Sequence, residues 1–245
     1  NVWSSELSKL ASNAMLAQRI SSINGLSALC EKTGANIDEL SKAIGMDNRI
    51  GPHFLKASVG FGGSCFQKDI YNLVYLCKYY GLEEVAEYWL SVINLNNFQK
   101  SRISNLVNEY YLSTDQTNYS VLILGWAFKK DTNDTRESPS IKIAEDLLHL
   151  NFNIEIYDPM VKQNQIYKDI NFVNNRKNRV QVLNDITKLK STYITIIIST
   201  AWDEFSKINF NQINSSPYMI IDCPRILNKN VIKRDDIKLY QIGIN

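Results

Sequence analysis

The hydrophobic period changes once along this chain, and that change limits the folds open to it. Apolar residues at Leu7, Leu10, Ala11, Ala14, Met15, Ile20, Ile23, Leu26 and Leu29 recur at helical spacing. They predict one long helix from about Ser4 to Glu31, stopped by Gly34. Shorter helical patterns run from Ile37 to Ile44, ending at Gly45, and from Gln67 to Tyr80, closed by Gly81. Another runs from Leu82 to about Tyr111, long enough to be broken once. Between Asp47 and Cys65 the chain reads as loop and short elements, with Gly51-Pro52 and a cluster of glycines.

Past the polar stretch Ser113 to Ser120 the period shortens. Val121 to Leu124 is a buried-strand pattern ending in Gly125. A helix follows from Ser138 as N-cap, with Pro139 at the first helical position, to His149. Ile154 to Tyr157, Tyr193 to Ser199 and Tyr218 to Asp222 read as strands, and Ile237 to Ile242 as an edge strand. Continuous β-branched runs suit a parallel sheet covered on both faces. The expected fold is therefore multi-domain: a helical domain over residues 1–115, then a doubly wound, Rossmann-like α/β domain over 116–245. No internal repeat is visible.

Charge excludes some functions. Lys and Arg number 27 against 25 Asp and Glu, a net charge of +2, which gives no nucleic-acid footprint and no polybasic membrane patch. The longest apolar run, near Tyr193 to Ile198, is too short to span a bilayer, and no signal-peptide pattern opens the chain. The four cysteines, Cys30, Cys65, Cys77 and Cys223, form no C-x-x-C pair and show no metal-ligand spacing. Cys30 and Cys77 fall on apolar helix faces, as core thiols, and the whole reads as a reduced, cytoplasmic protein. Loop asparagines such as Asn171, Asn174, Asn175 and Asn178 read as compositional bias. The first residue is Asn1 and a helix begins almost at once, so a piece of a longer protein is expected.

Ser58 to Asp69, S-V-G-F-G-G-S-C-F-Q-K-D, concentrates the chemistry. Gly60, Gly62 and Gly63 permit close backbone approach to a ligand, and Cys65 falls at the start of a helix, where free N–H groups and the dipole favour a thiolate. The same residues also suit a Gly-rich turn with a small buried cysteine. Lys9 and Asn13, four apart, share a helix face, as an oxyanion partner and a water-ordering amide would, or as an ordinary exposed pair. Asp69 lies one turn past Cys65, either as a base for water or as a balance to the helix dipole and Lys68. His53 and His149 lack triad spacing. Open parallel sheets bind ligands beyond their carboxyl strand ends, so the loops Gly125–Glu137, Asp158–Lys162, Thr200–Asp203 and Asp222–Leu227 are the ones to inspect. The first carries Lys129, Lys130 and Arg136, enough charge for a phosphorylated ligand, but no G-x-G-x-x-G.

Four motifs occur together and in order: S-S-E-L-S-K-L-A-x-N-A in Ser4 to Ala14, R-I-G in Arg49 to Gly51, G-F-G-G-S-C-F-Q-K-D in Gly60 to Asp69, and G-x-A-F-K-K-D-T-x-D-T-R-E-S-P in Gly125 to Pro139. With them the chain resembles the nucleotide-sugar 6-dehydrogenases, and among these the UDP-glucose 6-dehydrogenases with animal-type motifs. The resemblance is dense through residue 160 and thins beyond it.

The resemblance implies a two-step oxidation of UDP-glucose at C6 to UDP-glucuronate, with NAD as cofactor. It implies Cys65 as nucleophile, Lys9 as oxyanion partner, Asn13 as orienter of water or substrate, and Asp69 as activator of water or support for Lys9. It further implies substrate contacts from Phe54, Lys56, Gly60, Phe61, Gly62, Phe128 and Lys129, from Arg225, and from Arg49 across to a neighbouring subunit. Lys68 and Arg136 are implied on the cofactor side. A homo-oligomer is implied, a dimer through the long first helix and possibly a hexamer, with no nucleic acid, membrane or metal. Two positions depart from the family pattern: Asp222 is followed by Cys223-Pro224-Arg225, so Pro224 stands at the expected arginine, and T-E-W is Thr200-Ala201-Trp202. The NAD-binding domain of the family lies outside this sequence, so the fragment alone is expected to be inactive. A dehydrogenase for GDP-mannose or a UDP-N-acetylhexosamine, and a non-catalytic dimerisation and nucleotide-sugar-binding module, are the competing expectations.

Overall fold

The computed structural model describes residues 1–114, 117, 119–170, 178–189, 192–213 and 218–244. Asn171, Asn174 and Asn175, and the expected domain boundary at residue 115, lie outside the described residues. The chain divides into two compact units, one formed by residues 1–99 with 243–245, the other by residues 100–242.

The first unit is helical. Helix α1 (Val2–Thr33) starts where the Asn1 side chain accepts the Ser4 N–H at 2.9 Å and ends at Gly34, whose φ of 78° no β-carbon opposes. Its buried residues are Ala14, Ala17, Ser21, Ile23, Asn24, Ser27 and Cys30, and the small ones at Ala14, Ala17 and Ser21 let neighbours approach closely. Leu7, Met15, Leu26 and Leu29, which the periodicity places in the core stripe, are exposed. The helix is apolar on more than one face, and spacing alone cannot say which face the chain itself covers. Helix α2 (Ile37–Gly45) is capped by Asn36, and helix α3 (Phe66–Tyr79) packs Ile70, Val74 and Cys77 onto Ala14, Ala17 and Phe61. Helix α4 (Glu83–Leu112) is continuous, not broken. The division between the units falls inside α4, after Gln99, rather than past its end. The reason is local: Ser101 and Ser104 each donate to Asp146 Oδ2 at 3.1 Å, and Lys100 Nζ reaches the Glu137 carbonyl at 3.5 Å.

The second unit holds six parallel strands among the described residues, in the order β3-β2-β1-β4-β5-β6. They are β1 (Ser120–Leu124), β2 (Asn153–Tyr157), β3 (Val180–Val182), β4 (Thr195–Ile198), β5 (Tyr218–Asp222) and β6 (Ile237–Gln241). The central strands are apolar on both faces: Leu122, Ile123, Ile196, Ile197, Ile220 and Ile221 are fully buried. Each such side chain contributes roughly 1.5–3 kcal/mol by leaving water. Helix α5 (Pro139–His149) begins at Ser138 as expected, but the Ser138 hydroxyl makes no capping bond. Helix α6 (Gln163–Asp169) and strand β3 are elements the sequence pattern did not indicate. β1 lies between β2 and β4, so connections leave it in both directions and the crevice of a doubly wound sheet opens beyond its carboxyl end. Among the described residues no helix is long and apolar enough to cross a membrane.

Gly125, at that end of β1, has φ 100°, and a β-carbon there would stand 2.5 Å from Thr200 Cβ and 2.7 Å from the Thr200 nitrogen. Gly125→Ala is expected to destabilise the second unit by about 3 kcal/mol, strain and overpacking together. A thermal unfolding midpoint within a degree of wild type would contradict this.

Lys100 is only 4% exposed, and burial lowers its ammonium pKa from the ordinary 10.5, against the opposing pull of Glu137 and Glu145. Between its folded pKa and 10.5 the unfolded chain holds a proton that the folded chain has lost, so this group makes stability rise with pH across that window. Lys100→Met should remove that rise and leave stability near pH 7 unchanged or higher. Denaturant titrations of both proteins from pH 7 to about 10 check it: stability curves that stay parallel refute the assignment.

Candidate active site

Cys65 occupies the N-cap position of α3, with φ −100° and ψ −54°, and its carbonyl accepts the Asp69 N–H at 2.8 Å. Its sulfur lies 3.7 Å from the Ser64 hydroxyl. Of the four cysteines it alone is exposed; Cys30, Cys77 and Cys223 are buried, and burial pushes the Cys223 thiol pKa well up. The exposed thiol thus stands at a helix N-terminus, where a sulfur can meet a ligand.

One turn further on, Asp69 is 3% exposed. Its Oδ2 accepts a hydrogen bond from Asn13 Nδ2 at 2.6 Å and stands 3.6 Å from Lys9 Nζ. The Lys9 side chain is itself 73% exposed, so its ammonium is anchored on one side and open on the other. Lys9 and Asn13, which spacing alone sets on one helix face, each meet Asp69.

The segment before Cys65 is extended. Leu55, Ala57, Val59 and Phe61 are buried while Lys56, Ser58, Gly60 and Gly62 are not, a period of two. No strand pairs with it among the described residues. Side chains take that place. Ser58 N–H donates to Asn24 Oδ1 at 2.8 Å, and Gln99 Nε2 donates to the Ser58 carbonyl at 2.7 Å. Asn96 accepts the Phe61 N–H at 2.8 Å and donates to the Phe61 carbonyl at 3.1 Å. Ser41 donates to the Leu55 carbonyl, and Arg19 donates to the carbonyls of Ile50, Gly51 and His53. Sequence reasoning singled out none of Arg19, Asn24, Asn96 or Gln99. The available signal was polar side chains in phase with buried positions, Asn24 with Ala17 and Ser21, Asn96 with Val92 and Ile93. Gly60 and Gly63 have φ 121° and 84°, which explains why the segment is rich in glycine.

The remaining candidates of this unit are solvent-facing. Phe54 is 45% exposed at φ 60°, and Lys56 and Lys68 are exposed. Arg49 forks onto Asp47 at 3.0 and 2.6 Å, and that guanidinium holds the Asp47 carboxyl below its usual range.

In the second unit, the loop after β1 carries Phe128, Lys129 and Arg136. Lys129 Nζ sits 5.5 Å from the centroid of the Phe128 ring, and Arg136 forks onto Asp134 at 2.9 and 2.6 Å. The arginine holds the Asp134 carboxyl low. Beside it opens a cavity of about 440 Å³, lined by Asn133, Asp134, Thr135, Arg136, Val161, Lys162 and Gln165. Asp158, at the end of β2, is saturated: Oδ2 accepts from the N–H groups of Trp126 and Ala127 and from Trp202 Nε1, Oδ1 from the N–H groups of Met160 and Val161. A glycine-rich turn would offer those first two N–H groups to a diphosphate; here a carboxylate holds them, which fits the missing fingerprint. Thr200 and Trp202, whose motif had no assigned consequence, tie the strand-end loops together, Thr200 by donating to the Ala127 carbonyl at 2.7 Å. Arg225 lies on a different strand-end loop, after β5, at φ 55°, and donates to the Ile242 carbonyl at 3.1 Å.

Comparison with known proteins agrees with this architecture. Residues 3–98 match the model of the UDP-glucose/GDP-mannose dehydrogenase family, central domain, and residues 122–229 that family's UDP binding domain. The chain is 45% identical over 99% of its length to UDP-glucose 6-dehydrogenase 1 of Glycine max, covering 54% of that protein. It is 46% identical over its full length to UDP-glucose 6-dehydrogenase of Drosophila melanogaster, covering 52% of that one, so these identities do not separate animal from plant enzymes. The solved UDP-glucose dehydrogenase of the archaeon Pyrobaculum islandicum superposes with a TM-score of 0.78 at 29% identity, over 98% of this chain and 51% of that one. The chain thus spans about half the length of the relatives it matches. From these matches and the fold, the chain belongs to the UDP-glucose/GDP-mannose dehydrogenase family and comprises its central and UDP-binding domains.

Proposed function

We propose that this chain is part of an NAD-dependent UDP-glucose 6-dehydrogenase, with Cys65 as its nucleophile. The observation that carries the reading is one exposed thiol at the start of α3, with the Asp69–Asn13–Lys9 cluster one turn away. The 45% identity to UDP-glucose 6-dehydrogenases supports UDP-glucose over other nucleotide sugars. The Arg136 guanidinium beside its cavity, and the exposed Lys68 on α3, suit a cofactor carrying a diphosphate. NAD supplies the hydride acceptor, twice per turnover.

The chain's own groups account for the rest. Once C6 is an aldehyde, Cys65 Sγ adds to it, forming a C–S bond and leaving negative charge on oxygen. Lys9, held by Asp69 but open on its other side, neutralises that oxygen. Loss of hydride from the thiohemiacetal gives a thioester, and water positioned by Asn13 and Asp69 cleaves the C–S bond, giving a carboxylate and returning the thiol. Four electrons leave in two pairs, and no free aldehyde is released. Phe54, Lys56 and the Gly60–Gly62 backbone are assigned to the sugar nucleotide, as are Phe128, Lys129 and Arg225, the last standing next to the family's usual arginine position. Arg49 is assigned to the site of a neighbouring subunit. The exposed apolar face of α1, with Leu7, Met15, Leu26 and Leu29, supports a homodimer through that helix. Four free cysteines suit the cytoplasm.

Two measurements test the reading. In the full-length protein Cys65→Ser should lower the formation of UDP-glucuronate by at least about a thousandfold, as loss of a covalent nucleophile does. A variant turning over near the wild-type rate refutes the role. Met15→Glu should halve the dimer mass seen by sedimentation; an unchanged mass places the interface elsewhere.

A further inference from the structure

The structure assigns to Asn96 a positioning role: it aims the Gly60 carbonyl and the Gly62 N–H at hydroxyls of the hexose. The inference rests on the proposed reading that the chain binds a nucleotide sugar.

Asn96 is fully buried on α4 and grips both backbone groups of Phe61, accepting its N–H and donating to its carbonyl. Each of these groups belongs to a planar trans peptide, and no cis peptide is present among the described residues. In the Gly60–Phe61 peptide the N–H points toward Asn96, so the Gly60 carbonyl points away from it. In the Phe61–Gly62 peptide the carbonyl points toward Asn96, so the Gly62 N–H points away. One carboxamide therefore orients two planes and sets an acceptor and a donor on the opposite edge.

That edge is open. Among the described residues nothing bonds the Gly60 carbonyl, and nothing bonds either backbone group of Gly62. Neither residue has a β-carbon to cover the edge, and Gly60 adopts φ 121°, a conformation other residues rarely take. An acceptor and a donor side by side match a pair of sugar hydroxyls, each of which can donate and accept. A diphosphate, which only accepts, would leave the Gly60 carbonyl unmatched. The clamp therefore suits the hexose rather than the diphosphate; ribose and uracil, which also pair a donor with an acceptor, are separated from the hexose by the UDP arm of the test. Ser58, gripped by Asn24 and Gln99, anchors the segment two residues earlier.

The test compares UDP-glucose with UDP by calorimetry on the full-length wild-type protein and its Asn96→Ala variant. UDP-glucose should bind about tenfold more weakly to the variant, one good hydrogen bond's worth, while UDP binds within about twofold of wild type. Equal weakening of both ligands, or of neither, overturns the inference. Should Asn96→Ala fail to fold, Asn96→Asp keeps the acceptor for the Phe61 N–H and loses the donor to its carbonyl. It should then show a smaller loss, again confined to UDP-glucose; unchanged UDP-glucose binding overturns the inference here too. A wild type that binds neither ligand sinks the dehydrogenase reading instead. Amide exchange then judges the clamp: protection at Phe61 with fast exchange at Gly62 upholds it, and an unprotected Phe61 N–H removes it.

Discussion

The first unit depends on a buried carboxylate. Asp69 sits in the first turn of α3 with 3% of its surface exposed, beside an apolar cluster that includes Ala14, Ala17, Ile70 and Val74. An ionised carboxylate in that setting costs several kcal/mol unless it is bonded. Asn13 and Lys9, both from α1, are its side-chain partners. The exposed ammonium contributes little through Coulomb attraction alone, so the short bond to Asn13 is the firmer anchor. The consequence is geometric. Rotating α3 about its axis would break that bond and strand the charge, so the carboxylate fixes how α3 faces α1. Cys65 is the residue from which α3 starts, and its placement follows.

The second unit uses a carboxylate differently. Among the described residues no ion pair to Asp158 is seen; five N–H donors from three loops converge on its two oxygens. It ties the ends of β1 and β2 to the Thr200–Trp202 turn, a task that Gly125 assists by leaving room for Thr200. With those amides committed, charge for a ligand must come from side chains, and Lys129 and Arg136 are exposed on the same loop. The doubly wound sheet thus has its crevice beyond β1 without a dinucleotide-type glycine turn.

The sequence made the periodic features legible. Gly34, Gly45 and Gly81 mark helix ends to within about two residues, and five of the described strands lie where short apolar runs predict them. What escaped had physical reasons. Helix α6 buries one apolar side chain, Ile166, too few to make a stripe, and β3 has three residues at the edge of the sheet. On α1 the apolar spacing merged a covered face with an exposed one. Along α4 the period is unbroken, so nothing in it signals that Gln99 braces one unit and Ser101 the other. Cys65, Asp69 and the Lys9–Asn13 pair could be singled out because motif spacing sets them one helical turn apart, while the roles proposed for them come from the family resemblance. Asn24, Asn96 and Gln99 could not, because a buried carboxamide reveals its purpose only through the backbone it meets.

That backbone explains why the glycine segment is not a strand. A neighbouring strand would pair with an edge of the segment and could equally template the other. Carboxamides delivered from helices bond only the residues they reach, Ser58 and Phe61, and need no partner chain alongside. The extended shape is kept and so is the period-two burial, which seats Leu55, Ala57, Val59 and Phe61 in the core. The intervening positions are then released from packing, and two of them are Gly60 and Gly62. Replacing either with a larger residue would leave the buried half of the pattern unchanged and cover the peptide edge. Gly60 has a positive φ to demand glycine and Gly62 has none, so under the proposed reading glycine at Gly62 would answer to a ligand's approach.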